Sequence, residues 1–314
     1  METAREDVDF TASSGATLRG WFYPQADTAP CVVLQHGFSG VKEFHLDLYA
    51  ERFSAAGLAC LVYDHPGFGG SDAAPGTPRQ EVDPWQQIRH IQDAITYAQC
   101  RDEVDADWIG LWGSSYGGAH AYVTAAIDRR VKAVVSQVPV ISGSRTFESL
   151  VPIGARAHAD ALFAADRQAR MQGQDPMIIP IVDADPLANC VLPTPDSYEF
   201  FISTQAERAP EWRNETTVRS MELFRGYEPG TYLPYVSPTP LLMVVTPTDR
   251  IAASEVTLAA YEAAAQPKKL ELIGGGHFDA YTGANFEVGS AAALSWFVEH
   301  LLEKKRASAL SRAV

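Results

Sequence analysis

Six short, nearly continuous apolar runs constrain the fold more than any other feature of this 314-residue chain. They cover residues 31–35, 59–63, 108–112, 131–137, 241–246 and 270–273. Runs of this kind suit strands that are buried on both faces, as in a parallel sheet, because strands with one wet face alternate apolar and polar residues. Segments 8–12 and 17–23 do alternate, and they predict a β-hairpin ahead of the runs.

Amphipathic helical patterns lie between the apolar runs. Trp85, Ile88 and Ile95 recur at helical spacing, and so do Leu294 and Leu301 near the carboxyl end. Strands that alternate with amphipathic helices are joined by right-handed crossovers. The sequence therefore predicts an α/β fold with a doubly wound, mostly parallel sheet.

One proline-rich stretch interrupts this alternation. Residues 141–238 contain helical patches but no strand and helix unit of the core type. We predict a helical lid inserted before the strand that carries the catalytic acid, with residues 1–140 and 239–314 forming the core. A disordered loop is the alternative, but disordered segments are poor in aromatic residues, and this one contains Phe200, Phe201 and Trp212.

Composition excludes several classes of function. A net charge of −14 argues against nucleic acid as a partner, because its binding depends on clustered Lys and Arg. No apolar stretch is long enough to span a membrane, so a cytoplasmic location is predicted. The four cysteines form no metal-binding spacing, and the glycine-rich loop 64–71 does not match a dinucleotide-binding motif. We therefore expect no metal and no cofactor.

A nucleophilic serine is predicted where the third apolar run ends. The order of strand, tight turn and helix forces such a serine out of the sheet. Two adjacent serines compete for this position, and the residues two before and two after the nucleophile must be small because the turn brings them together. Ser115 has Gly113 and Gly117 there, whereas Ser114 has bulky residues on both sides. Ser115 is therefore the predicted nucleophile.

A serine needs a base, and the base needs an orienting carboxylate. In a parallel sheet these groups belong in loops after the strands. Asp249 follows the fifth apolar run and His277 follows the sixth, which makes them the predicted acid and base. Asp249 could instead be a turn residue that caps the next helix, and Asp279 is the rival acid because it lies close to His277 in sequence.

The oxyanion of an acyl-transfer intermediate requires two preorganised donors. We predict the backbone N–H of Tyr116, at the start of the helix after Ser115, as the first. The second is the backbone N–H of Phe38, because Gly37 lets the loop after the first apolar run approach the substrate. The alternative is that these glycines only form a turn. The loop from Asp64 to Ser71 is predicted to brace the site, with Asp64 holding loop amides.

The sequence resembles the α/β-hydrolase superfamily along nearly the whole chain. The features that carry this resemblance are, in chain order, the loop that contains Phe38, the loop 64–71, Ser115, Asp249 and His277. The segments 36–43, 212–220 and 275–281 resemble the dienelactone-hydrolase-like and X-Pro-peptidase-like branch, which includes polyketide transferases and thioesterases. Dienelactone hydrolases proper carry cysteine at the elbow, and haloalkane dehalogenases and epoxide hydrolases carry aspartate. Ser115 argues against these three activities.

The expected function is that of a serine esterase or thioesterase, which cleaves an ester, thioester or lactone through an acyl-enzyme on Ser115. Rival readings are an acyltransferase with the same groups and a non-catalytic binding protein on this scaffold. His36 and Trp212 are the predicted pocket residues, and Phe200 and Met177 either line the acyl pocket with Trp212 or form the core of the lid. The expected partner is a small-molecule acyl substrate, and the sequence is compatible with a homodimer.

Overall fold

The fold is seen in a computed structural model that describes residues 5–185 and 187–312. Pro186 and the chain ends, residues 1–4 and 313–314, lie outside the described residues. The strands of the described part are β1 (Glu6–Thr11), β2 (Thr17–Tyr23), β3 (Ala29–Gln35), β4 (Ala59–Tyr63), β5 (Val104–Ser114), β6 (Val131–Gln137), β7 (Ile178–Ile179), β8 (Thr216–Thr217), β9 (Leu241–Val245) and β10 (Lys268–Leu272).

Eight of these strands form the central sheet, in the spatial order β1-β2-β4-β3-β5-β6-β9-β10. From β4 to β10 neighbouring strands in this order are parallel. The β1–β2 hairpin adds to β4 in antiparallel orientation at one edge. This order confirms the predicted hairpin and the predicted mostly parallel sheet.

Helices follow most of the parallel strands. The α-helices of the described residues are α1 (Leu46–Ser54), α2 (Pro84–Gln99), α3 (Tyr116–Ile127), α4 (Gly143–Leu150), α5 (Ile153–Met171), α6 (Pro195–Glu207), α7 (Val218–Arg225), α8 (Ser254–Ala263), α9 (Gly283–Phe297) and α10 (Lys304–Arg312). Shorter 3-10 helices cover Pro229–Tyr235 and Phe278–Tyr281, and a π-helix covers Val298–Glu303. None of the described helices combines the length and apolarity needed to cross a bilayer.

Both faces of the sheet are covered by helices. Alternate side chains of β3 point to opposite faces, so that Val33 packs in one apolar cluster and Val32 in another. The cluster around Val33 includes the buried faces of α2 and α3, and the cluster around Val32 includes those of α1 and α9. This is the doubly wound arrangement that the alternating pattern predicts.

The last strand departs from the prediction. β10 lies at the sheet edge and pairs with β9 alone, and its residues are only partly covered. Leu272 is 57% exposed. The expectation of burial on both faces is therefore wrong for β10, because side chains point to the faces of the sheet and the helices packed there cover this edge strand only in part.

Residues 141–238, hereafter the insertion, lie between β6 and β9. They contain α4, α5, α6 and α7 and the antiparallel β7–β8 pair, which the sequence did not predict. Phe201, Trp212 and Phe224 are buried here, which contradicts a disordered loop. Division of the chain into a core and a lid domain stays a prediction.

Candidate active site

Ser115 occupies a strained turn between β5 and α3. Its φ of 57° and ψ of −117° are rare for a residue with a side chain, and strain of this kind is concentrated at functional sites. The turn tolerates only glycine two positions before and two positions after Ser115. A Cβ on Gly113 would lie 2.1 Å from the carbonyl oxygen of Gly117, and a Cβ on Gly117 would lie 2.4 Å from that of His36.

Ser114, the neighbouring candidate, is fully buried and turned away from the histidine base. Its hydroxyl donates to the Tyr281 hydroxyl at 2.7 Å, and Gln137 Nε2 donates to it at 3.4 Å. These bonds give Ser114 a structural environment within the core.

The structure brings Ser115, His277 and Asp249 into one hydrogen-bonded row. The Ser115 Oγ to His277 Nε2 distance is 2.9 Å, and the His277 Nδ1 to Asp249 Oδ2 distance is 2.7 Å. All three residues are largely buried. Because a carboxylate only accepts hydrogen bonds, Nδ1 carries the ring proton, which leaves Nε2 free to accept from the serine hydroxyl.

Asp249 uses its two oxygens for different tasks. Oδ1 accepts from the backbone N–H groups of Ile251 and Ala252, both at 2.8 Å, while Oδ2 faces His277. The turn role and the orienting role, which are alternatives on the sequence alone, are thus combined in one carboxylate. Asp279 instead accepts from the Gly276 N–H at 2.7 Å, and this bond fixes the turn that leads to His277.

The loop after β3 lies directly against the serine turn. A Cβ on Gly37 would lie 3.3 Å from Ser115 Cβ, so the absence of a side chain at position 37 allows this approach. Within the described residues, the backbone N–H groups of Phe38 and Tyr116 have no hydrogen-bond acceptor. Two unused donors next to a serine hydroxyl are what an oxyanion site requires.

Charged and polar groups behind this loop hold it in place. The fully buried Asp64 accepts from the Lys42 N–H at 2.7 Å, from Lys42 Nζ at 2.8 Å and from the Gly70 N–H at 3.0 Å. Burial opposes the charge of the Lys42 ammonium, but Asp64 and Glu43 outweigh it and raise its pKa. The sequence anticipated the amide contacts of Asp64 and missed Lys42.

His36 also supports the loop from behind. Its Nδ1 donates to the Gly37 carbonyl oxygen at 2.9 Å, and the backbone N–H of His65 donates to its Nε2 at 3.2 Å. Burial lowers the pKa of His36. The ring is therefore a neutral brace and does not line the substrate cavity, which corrects the predicted pocket role of His36.

An apolar cavity opens onto Ser115 and His277. It contains about 750 Å³ of empty space, part of it open to solvent. Its walls come from the core and from the insertion, and among the described residues no Asp, Glu, Lys or Arg contributes to them. The apolar side chains in these walls are Phe38, Phe44, Leu46, Val140, Phe147, Leu150, Val151, Val191, Leu192, Phe200, Phe201, Met221, Phe224, Ile251, Phe278 and Tyr281.

The residues of the insertion that were predicted to line the pocket do not all lie at its surface. Phe200 lines the cavity, but Trp212 and Met177 do not. Trp212 lies behind the wall, in contact with Phe44 and Phe201. The sequence could not distinguish these cases, because a pattern of apolar residues does not tell which of two buried layers a side chain joins.

Comparison with known proteins agrees with this arrangement. The family model described as serine aminopeptidase, S33, matches residues 26–278. A polyketide transferase, grgF, of a Penicillium species is 32% identical over 283 residues, which cover 88% of this chain and 90% of the relative. A thiohydrolase, aneE, of Aspergillus aculeatus is 31% identical over 310 residues, which cover 97% and 96% of the two chains.

A solved structure has the same architecture. The crystal structure of the α/β hydrolase GrgF from a Penicillium species superposes with a TM-score of 0.83 at 30% identity, covering 95% of this chain and 99% of that chain. These findings confirm the resemblance to α/β hydrolases that was drawn from the loop and elbow motifs, and they include relatives named polyketide transferase and thiohydrolase. The chain therefore belongs to the serine aminopeptidase S33 family and is an α/β hydrolase.

Proposed function

We propose that the protein cleaves an ester or thioester of an apolar carboxylic acid, or a lactone, through an acyl-enzyme on Ser115. The observation that carries this proposal is the unbroken row from Ser115 Oγ through the His277 ring to Asp249, at the wall of an apolar cavity. A serine hydroxyl becomes nucleophilic when a base accepts its proton, and His277 Nε2 is within hydrogen-bond distance of that proton.

In the acylation step, Ser115 Oγ attacks the substrate carbonyl carbon while His277 Nε2 accepts the hydroxyl proton. The carbonyl oxygen becomes an oxyanion, which the N–H groups of Phe38 and Tyr116 stabilise. His277 then gives the proton to the departing oxygen or sulfur, and the bond from carbon to the leaving group breaks. Asp249 holds the ring tautomer and stabilises the imidazolium.

In the deacylation step, water takes the place of the leaving group. His277 accepts a proton from the water as its oxygen attacks the acyl carbon, and it returns that proton to Ser115 Oγ as the ester bond breaks. The products are the free carboxylic acid and the regenerated serine. An alcohol or amine in place of water would give acyl transfer instead of hydrolysis.

The cavity walls limit the substrate. Recognition of a free α-amine, as in an aminopeptidase, calls for a carboxylate in the pocket, and the lining residues in the described part of the chain include none. The apolar walls equally disfavour an acyl chain that ends in a charge. An uncharged, apolar acyl group therefore fits this chain better than the peptide substrate that the family description implies.

Acyl transfer is the second candidate. It is favoured by the relative that is named a polyketide transferase and is 32% identical. Transfer and hydrolysis share every catalytic group, and they differ in whether the site admits water or another nucleophile to the acyl-enzyme. Product analysis with and without added alcohols and amines separates the two.

Labelling with a fluorophosphonate probe tests the proposal directly. We expect modification of Ser115, located by peptide mass, and turnover of a panel of acyl esters, thioesters and lactones. Absence of labelling together with absence of turnover would favour a binding protein on this scaffold. The cytoplasmic location, the homodimer and the separate lid domain stay predictions.

A further inference from the structure

We propose that Trp212 is a positioning residue for the oxyanion loop, defined here as residues 36–42. Its indole N–H holds the Ser39 carbonyl and thereby fixes the turn that presents the Phe38 N–H to the substrate. The inference rests on the proposed function, because it assigns Trp212 to the transition state of that reaction. It replaces the pocket role that the sequence suggested for this residue.

The hydrogen bond from Trp212 is short and buried. Trp212 Nε1 donates to the Ser39 carbonyl oxygen at 2.8 Å, and the residue is 4% exposed. The bond links the insertion to the oxyanion loop across 173 positions of the chain. Without its N–H, the carbonyl of the buried Ser39 would lose this partner, and an unpaired buried acceptor is costly.

The turn that receives this bond needs support. The Gly40 N–H donates to the Gly37 carbonyl oxygen at 3.2 Å, which places Phe38 and Ser39 at the central positions of a β-turn. Ser39 has a φ of 51°, a region that favours glycine at this position. The sequence places a serine there, so contacts from outside the turn are needed to hold it.

The indole is itself held firmly. Its ring centroid lies 5.7 Å from that of Phe44 and 5.3 Å from that of Phe201, and both phenylalanines line the cavity. Gln205 Nε2 donates to the Trp212 carbonyl oxygen at 2.9 Å. The insertion therefore presents the indole N–H in a fixed direction behind the cavity wall.

This placement separates catalysis from binding. Trp212 does not line the cavity, so its side chain is not expected to contact the bound substrate. Its effect passes through the Phe38 N–H, which acts on the oxyanion. Loss of the bond is therefore expected to lower kcat and to leave KM nearly constant.

The test compares Trp212→Phe with wild type on one acyl ester. We expect kcat to fall about tenfold, less than for loss of a whole oxyanion donor, with KM within about threefold. The inhibition constant of a trifluoromethyl ketone, which forms an oxyanion adduct with the serine, should rise by the same factor as kcat/KM falls. Trp296→Phe is the matched control and should change neither value, because Trp296 Nε1 is buried without a hydrogen-bond partner in the described structure.

Three outcomes overturn the inference. They are unchanged kinetics, a raised KM with constant kcat, and a lower kcat with unchanged inhibition by the ketone. Should Trp212→Phe unfold, replacement of Trp212 by 3-benzothienylalanine puts a sulfur atom in place of the N–H and keeps the bicyclic ring shape, so the same readouts apply. If Ser115→Ala retains full activity, the proposed function fails; if it is inactive while both Trp212 variants behave as wild type, only this inference fails.

Discussion

At the scale of single residues, the two adjacent serines differ in surroundings and not in chemistry. Ser115 faces His277, whereas Ser114 faces Tyr281 inside the core. Ser115→Ala should lower kcat by about 10⁶ while the fold is retained. Ser114→Ala should cost at least about 1 kcal/mol of stability through the loss of its hydrogen bonds to Tyr281 and Gln137 and retain at least a tenth of the activity. Steady-state kinetics and urea unfolding of both variants check this, and the reverse ranking would assign the nucleophile to Ser114.

The two aspartates near His277 give a second comparison. Asp249→Asn keeps the shape of the side chain but no longer enforces the productive ring tautomer, so kcat should fall by about 10⁴. Asp279→Asn replaces a carboxylate that accepts from the Gly276 N–H, and its effect on kcat should be less than about tenfold, since that hydrogen bond is worth of order 1 kcal/mol. Kinetics at saturating substrate separates the variants. Equal losses would mean that the charge near His277, and not the row itself, matters.

At the scale of elements, the serine turn depends on close contact between the end of β5 and the start of α3. Gly113→Ala would place a Cβ 2.1 Å from the Gly117 carbonyl oxygen, and the backbone must move to relieve it. We expect a loss of about 3 kcal/mol or more in the free energy of unfolding, together with loss of turnover. Gly154→Ala in α5 is the control, because a Cβ there meets nothing within 4 Å. Urea unfolding measures both, and equal stabilities would contradict the steric argument.

The elements that the sequence predicted well are those whose burial follows from local pattern. The predicted bounds of β4 and β6 agree with the structure, because the first and last residues of each apolar run are buried. β5 begins at Val104, earlier than predicted, since the partly covered Asp105 and the exposed Ala106 and Asp107 interrupt the apolar pattern. β7 and β8 are distant in the sequence, and each strand is only two residues long. No periodicity in the sequence therefore reveals this pair.

Some residues of the candidate site could likewise be predicted from the sequence, and others could not. The meeting of Ser115, Asp249 and His277 in one row could be predicted, because the chemistry fixes residue types and the parallel sheet fixes which loops meet. The supporting roles of Lys42 and Trp212 could not be predicted. They depend on the direction in which each side chain points, and the spacing of residues in the sequence does not determine that direction. His36 was misplaced for that reason: its position after β3 was visible, but not that its ring turns toward the backbone of His65.

At the scale of the whole molecule, the site exists only where the core and the insertion meet. The core supplies Ser115 and His277, and the insertion supplies cavity walls such as Phe147 and Phe224. The insertion is also joined to the core by polar contacts, among them a hydrogen bond from Thr216 to the Gln80 carbonyl oxygen. The cavity therefore forms together with the fold as a whole, and conditions that loosen the fold are expected to lower activity.

Acid is one such condition, because the fold buries neutral histidines. Burial lowers the pKa of His120 from its ordinary 6.5 to about 3. The Tyr227 hydroxyl donates to its Nδ1 at 3.1 Å, and its Nε2 donates to Gln87 Oε1 at 3.0 Å, so a second ring proton would have to bind at Nδ1 and displace the hydrogen that Tyr227 donates there. Below pH 6.5 the unfolded chain binds this proton and the folded chain does not. Stability is therefore lost as the pH falls from about 6.5 toward 3.

The expected size follows from proton linkage. Each such histidine steepens the fall in unfolding free energy by about 1.4 kcal/mol per pH unit within this window. His120→Gln preserves one donor and one acceptor but cannot be protonated, so its stability between pH 6 and 4.5 should fall less steeply than that of wild type by about that amount. Urea unfolding across this range measures the slopes, with His158→Gln, at an exposed position of α5, as the control that should keep the wild-type slope. A His120→Gln slope equal to wild type would show that the imidazole accepts its second proton inside the folded protein.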